Sequence, residues 1–275
     1  KNVNWIKTDL RIDKNSLKIT KKIDIVIQAA ATTTGSKDVI NQPFVHVTDN
    51  AVMNAYIFRN SYINKVKHVI FFSCTTMYKS SNKPLKENQF DPRKDIEPKY
   101  FGVANTKVYN EKMCEFYSSL GITKYTAIRH SNVYGPHDKY DLERSHVFGA
   151  TISKVLNIDS NIVSIWGDGS EERDLLYISD LVDSVKKIIS TKDKNPFYLF
   201  NIGSGKAISI KDLVCKIVEI AGVKDKKIVY EQSEPTVKTS IALDCSKAKL
   251  ILGWQPNVSL EVGIKKTILW YKKMS

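Results

Sequence analysis

Residues 99–117, KYFGVANTKVYNEKMCEFY, read as one amphipathic helix, with Val103, Thr106 or Lys107, Asn110 and Cys114 recurring at helical spacing. Its flanks set the architecture. Upstream, HVIFFSC (68–74) is a strand-like run, followed by a loop carrying Pro84, Pro92 and Pro98. Downstream, YTAIRHSNVYG (125–135) reads as a second strand. Strands alternating with helices of this length predict a parallel α/β sheet with right-handed crossovers.

The pattern extends towards the beginning of the chain. Residues 1–10 read as the tail of a strand and its turn, and SLKITKKIDIVIQAAA (16–31) as a short helix and an apolar strand at 23–29. Small residues at 29–31, then Thr32 and Thr33, let another chain or a ligand approach the backbone closely. A helix is predicted at about 47–64. The G-x-G at 203–205 lacks a third glycine and reads as a strand–turn before a helix capped near Ser209; Asp180 reads as another N-cap.

Composition bounds the function. A chain of 275 residues, 42% hydrophobic and 26% charged, can bury a real core as one large domain or two lobes. The formal charge of +13 suits an anionic ligand, but only six of the 42 basic residues are arginine, and no basic run interleaves with aromatics. Nucleic acid is therefore not an expected partner. Four cysteines (74, 114, 215 and 245) form no C-x-x-C pair, which predicts neither zinc nor a disulfide framework and fits a cytoplasmic protein. No apolar run approaches the roughly 20 residues of a membrane span.

From Tyr134 onward the sequence resembles a family. YGPHDKYDLERSHVFGATISKV (134–155), SIWGDGSEERDLLYISDLVDSV (164–185) and LDCSKAKLILGWQP (243–256) are similar to extended short-chain dehydrogenase/reductases that remodel nucleotide sugars, nearest their GDP-fucose synthase branch. The resemblance implies an α/β fold: a Rossmann-type doubly wound parallel sheet, its first βαβ opening missing here, with a smaller mixed α/β substrate-binding lobe. The expected division is 1–131 and 163–200 for the cofactor domain, 132–162 and 201–275 for the lobe. No Gly-rich opening precedes Asp9, so the chain is expected to begin late by about 30 residues or more.

The resemblance also assigns residues. NAD or NADP would lie against Asp9, Leu10, Ala29, Ala30, Thr32, Lys107, Asn132 and Val133. A nucleotide sugar would meet Asn132, His146, Lys154, Trp166, Arg173 and Lys238; Arg173 is favoured because a planar guanidinium pairs bidentately with phosphate. A homodimer is expected, and no metal. Chemistry would fall to a strand-end hydroxyl and a Tyr-x-x-x-Lys pair, in which the lysine charge lowers the tyrosine pKa. Lys107 fills the second place, but Val103 stands where the tyrosine belongs. Tyr100 is the candidate replacement. It lies seven residues before Lys107, about 20° short of two helical turns, and would sit about 4.5 Å from the expected position. At the strand end, Cys74, Thr75 and Thr76 take the hydroxyl and acid–base places, and His146 matches a proton-transfer residue suited to work near neutral pH.

These residues predict an NAD(P)-dependent enzyme that epimerises, reduces or oxidises a 4-keto sugar nucleotide. Two alternatives stay open: a catalytically silent sugar-nucleotide binder, and a dehydratase, which Thr75–Thr76 in place of an acidic pair disfavours.

Overall fold

The computed structural model describes residues 3–33, 42–142, 145–232 and 239–274. Its first half alternates helix and strand: α1 (Asp13–Ile19), β1 (Ile25–Gln28), α2 (Thr48–Ile63), β2 (His68–Phe72), α3 (Phe101–Ser119) and β3 (Lys124–His130). The chain continues through β4 (Asn132–Tyr134), α4 (Val147–Leu156), β5 (Ile162–Trp166), β6 (Glu172–Tyr177), α5 (Ile178–Ser190) and β7 (Phe197–Ile202). It closes with β8 (Ala207–Ser209), α6 (Ile210–Ala221), β9 (Lys227–Glu231), α7 (Ser246–Leu252) and α8 (Leu260–Met274).

Strands β1, β2, β3 and β7 form one parallel sheet in that order, with Val26 opposite Val69, Val69 opposite Tyr125 and Tyr125 opposite Phe197. Both faces are covered, as a parallel sheet requires. Along β2 the side chains alternate: Val69 and Phe71 join Ile57, Phe58 and Cys114 of α2 and α3, while Ile70 joins Leu181, Val185, Ile188 and Trp254 on the opposite face.

The second lobe is built on smaller sheets. β4 runs parallel to β6, β8 antiparallel to β6, and β5 pairs with β9. Its core gathers Tyr134, Phe148, Ile152, Val163, Leu213, Ile217 and Ile264. Helix α8 lies close enough that a Cβ on Gly263 would fall 2.0 Å from the Tyr134 hydroxyl, so only glycine permits that packing.

Four expectations are corrected. The strand at 125–135 is two strands in two sheets: the Ser131 amide makes a last bond to the Ile202 carbonyl (3.0 Å), and the chain then crosses to β6. The expected cofactor segment 163–200 divides near Tyr177, because β5 and β6 pair within the second lobe and only α5 and β7 join the large sheet. Helix α7 and Trp254, expected in the lobe, pack against the large sheet instead. Asp180 is not an N-cap. It sits in the first turn of α5 and its Oδ2 accepts the Asn257 (3.1 Å) and Val258 (3.0 Å) amides, pinning the C-terminal segment. Ser209 does cap its helix, accepting the Asp212 amide at 3.0 Å.

Candidate active site

Lys107 points to the carboxyl end of β2. Its Nζ donates to the Phe72 carbonyl at 2.9 Å and lies 5.0 Å over the Phe71 ring. One turn further along α3, buried Glu111 fixes the helix against the sheet. Its Oε1 accepts from Ser73 Oγ (2.5 Å) and Arg129 Nε (3.0 Å), and its Oε2 from Arg129 Nη2 (2.7 Å). Arg129 Nη1 donates to the Tyr78 hydroxyl (2.9 Å), which donates to Asn201 Oδ1 (2.8 Å). The strand-end loop and the lysine are thus positioned from below by one buried network. Sequence reasoning missed Glu111 and Arg129, although an arginine inside an apolar strand and a glutamate one turn after Lys107 were visible signals.

Beyond Phe72, Cys74 Sγ lies 2.8 Å from Thr76 Oγ1, and the Thr75 carbonyl accepts the Tyr78 amide at 3.0 Å. At the end of β3, His130 packs edge-on against Phe72 (5.9 Å between centroids), with Nδ1 2.8 Å from the Ser131 carbonyl oxygen. Burial pushes its pKa down to about 4; the Ser131 carbonyl opposes this, and the charges of Lys107 and His146 reinforce it. His130 was not foreseen from the sequence, yet it stands in the fields of both.

His146 is the exposed residue preceding α4. The loop before it is pressed onto this helix, where a Cβ on Gly149 would come within 2.3 Å of the Lys139 carbonyl oxygen. Asp138 in that loop is pushed above the usual carboxylate range by burial, an effect opposed by the Lys139 amide and the His146 charge.

Tyr100 differs from expectation. Pro98 initiates a 3-10 turn, Pro98–Tyr100, and the α-helix begins only at Phe101, so Tyr100 does not share the lysine's helical face. Burial raises its pKa; Arg173 opposes this, while Glu171, Glu97 and Cys74 add to it. Tyr100 is thus half-buried ahead of the lysine's helix and lies near enough to Arg173, Glu171 and Cys74 to feel their charges.

Arg173, on β6, donates through Nη1 to the Glu172 carbonyl (2.9 Å), the Thr239 carbonyl (3.3 Å) and Thr239 Oγ1 (2.8 Å), and through Nη2 to Glu171 Oε2 (2.7 Å). Asn132 has its Nδ2 3.4 Å from the Asp174 carbonyl oxygen, and Val133 packs with Phe72 beside the sheet core. Trp166 ends β5 half-exposed. Lys154 turns to β5, donating to the Ser164 carbonyl (2.9 Å) and Oγ (2.8 Å), so any substrate contact competes with those bonds. Lys238 lies outside the described residues.

This arrangement has relatives. The sequence profile of the NAD dependent epimerase/dehydratase family matches residues 1–203. The chain belongs to that family. The GDP-L-fucose synthase of Sinorhizobium fredii is 31% identical over 90% of this chain and 79% of its own length. Among solved structures, the UDP-glucose 4-epimerase of Thermotoga maritima superposes with a TM-score of 0.85 at 26% identity, over 98% of this chain and 84% of that one. A GDP-6-OMe-4-keto-L-xylo-heptose reductase from C. jejuni gives 0.84 at 26% identity, over 97% and 88%.

The epimerase/dehydratase family depends on NAD, and the groove at the end of β1 has room where part of such a dinucleotide would lie. A groove of about 660 Å³ opens there between Asp9, Leu10, Ala30, Thr32 and Met53. Asn50 props its floor, accepting the Thr32 amide (2.8 Å) and donating to the Thr32 (3.0 Å) and His46 (2.9 Å) carbonyls. Hydrogen bonds from the Arg11 side chain and amide hold the Asp9 pKa at about 2 and engage both of its carboxylate oxygens at the groove's rim. Ala29 and Ala30 present little side-chain bulk. Lys107, at the far end of the same sheet edge, would meet the reactive half. Among the described residues no cluster of acidic, histidine or cysteine side chains could hold a metal, and no helix is long and apolar enough to cross a membrane.

Proposed function

We propose that this enzyme epimerises and reduces a 4-keto GDP-sugar. The observation that carries the reading is convergence. Lys107 donates to the Phe72 carbonyl, His130 packs edge-on against the Phe72 ring, and Cys74 with Thr76 follows two residues later. Groups from α3, β2 and β3 are thus gathered at the carboxyl end of the parallel sheet.

Asp9, Leu10, Ala29, Ala30, Thr32 and Lys107 would hold NAD(P)H, which would supply the hydride for C4 while a solvent proton goes to the C4 oxygen. The chain's own groups do the rest. Arg173 and Tyr100 hold the nucleotide's anionic end, with Asn132, Val133, Trp166, Lys154 and Lys238 around it. His146 accepts a proton from a carbon next to the ketone; the C–H electron pair moves onto the ketone oxygen as an enolate. The Cys74 thiol, beside Thr76, returns a proton to that carbon, which inverts the centre. The four free cysteines fit a cytoplasmic setting. Exposed Phe101, Tyr109 and Phe116 on α3 support a homodimer, which sedimentation equilibrium reads out.

Solvent exchange tests the chemistry. Offered GDP-4-keto-6-deoxymannose in D2O, the enzyme should incorporate deuterium next to the ketone, and His146→Asn should suppress that uptake at least tenfold. Absence of exchange in the unmutated chain, with GDP-sugar binding retained, turns the reading to a silent binder, consistent with Val103 in the tyrosine's place.

A further inference from the structure

Glu111 and Asp174 are buried and Glu171 is half-buried, and their carboxylate oxygens are used differently. Both oxygens of Glu111 are taken, by Ser73 and Arg129. So are both of Asp174: Oδ1 by the Ser204 amide (2.7 Å) and hydroxyl (2.7 Å), Oδ2 by the Gly205 and Leu243 amides (both 3.1 Å). Glu171 is different. Its Oε2 accepts from Arg173 at 2.7 Å, while Oε1 is buried without a hydrogen-bond partner. A carboxylate kept only to anchor an arginine would have both oxygens satisfied, since an unpaired buried acceptor is destabilising.

Taking Arg173 as the diphosphate ligand of the proposed function, we infer that Glu171 is a resident competitor for the substrate's diphosphate, occupying the guanidinium in the free protein and surrendering it when the nucleotide binds. Arg173 is suited to such an exchange. Its Nη1 is oriented by Glu172 and Thr239 whether or not Glu171 is engaged, so the fork stays in place while Nη2 changes partner. The carboxylate excludes weaker anions, because only a ligand with more than one negative charge and other anchor points repays the lost ion pair.

Calorimetric titration of the chain with GDP tests this. Glu171→Gln keeps the side chain's shape but replaces a charge-assisted bond with a neutral one. It should tighten GDP binding by about tenfold, the difference between those two kinds of hydrogen bond. In an Arg173→Ala background the same change should tighten nothing. Equal or weaker binding by Glu171→Gln, with Arg173→Ala still impaired, overturns the competitor role alone. Equal affinity of Arg173→Ala and the unmutated chain removes the diphosphate reading as well. Glu171→Ala, checked for folding by circular dichroism, serves as a second variant, and a gain in affinity there counts equally.

Discussion

Arg129–Glu111 and Arg173–Glu171 are two arginine–carboxylate pairs with the same 2.7 Å Nη2–Oε2 contact and opposite settings. The first is sealed between α3 and β3, its side chains 4% and 7% exposed, with Ser73, Tyr78 and the rings of Tyr78 and Phe90 completing its contacts. The second stands at 21% and 13% on the cleft wall, with one carboxylate oxygen unpartnered. Contact distance alone would rank them equal. The difference is in what surrounds them: a buried pair whose carboxylate oxygens both have partners locks geometry, whereas a half-satisfied, less buried pair can change partners.

Removing one member of each pair should separate the roles. Glu111→Ala leaves Arg129 uncompensated in the interior and should lower stability by about 3–5 kcal/mol, read from urea unfolding. A loss below about 1 kcal/mol would place the first pair with the second. Arg173→Ala should weaken GDP binding by about 1.5–3 kcal/mol, with a smaller loss of stability than Glu111→Ala, because its partner sits nearer solvent. Unchanged affinity would put the phosphates elsewhere.

Proton linkage sharpens the contrast further. His68 and His130, on the strands that flank the sealed pair, are both held near 4 chiefly by burial, against 6.5 in the unfolded chain. As pH falls from about 6.5 towards 4, the unfolded chain takes up protons that the folded one refuses. Stability is therefore lost across that window and is unaffected by these groups above it. Each histidine steepens the slope by at most about 1.4 kcal/mol per pH unit. His68→Gln, which keeps an acceptor for Thr126 Oγ1, should flatten it; an unaltered slope would mean that His68 is as readily protonated folded as unfolded. The smallest effect is expected at Tyr100. Since Arg173 acts on it and it lies ahead of the lysine's helix, Tyr100→Phe should weaken GDP-sugar binding by about 0.5–1.5 kcal/mol and leave turnover at saturation within a few-fold. Abolished reduction at saturation would restore it as the proton donor to the ketone.

The periodicities of residues 16–135 were enough for the parallel α/β order, because burial on both faces of a sheet forces apolar runs between amphipathic helices. Local patterns also placed Lys107 on its helix and, after the turn at 203–205, Ser209 at its cap, since both depend on neighbours a few residues away. Tyr100 shows where that reading stops. Counting residues put it nearly on the lysine's face, but Pro98 opens a 3-10 turn and the α-helix begins only after Tyr100, so the count no longer fixes its face. Nor could spacing reveal that β5 and β6 leave the large sheet, because a strand's alternation records which side is buried and not which strand lies beside it. His130, Glu111 and Glu171 acquire their character from groups distant in sequence: Lys107 and His146 for the first, Arg129 for the second, and for the third Arg173 with an oxygen that nothing meets. Local sequence determined which elements form and which chemical groups they carry. Only the tertiary structure decided which charges share a low-dielectric space, and at those distances burial and partners, rather than residue type, set what each group can do.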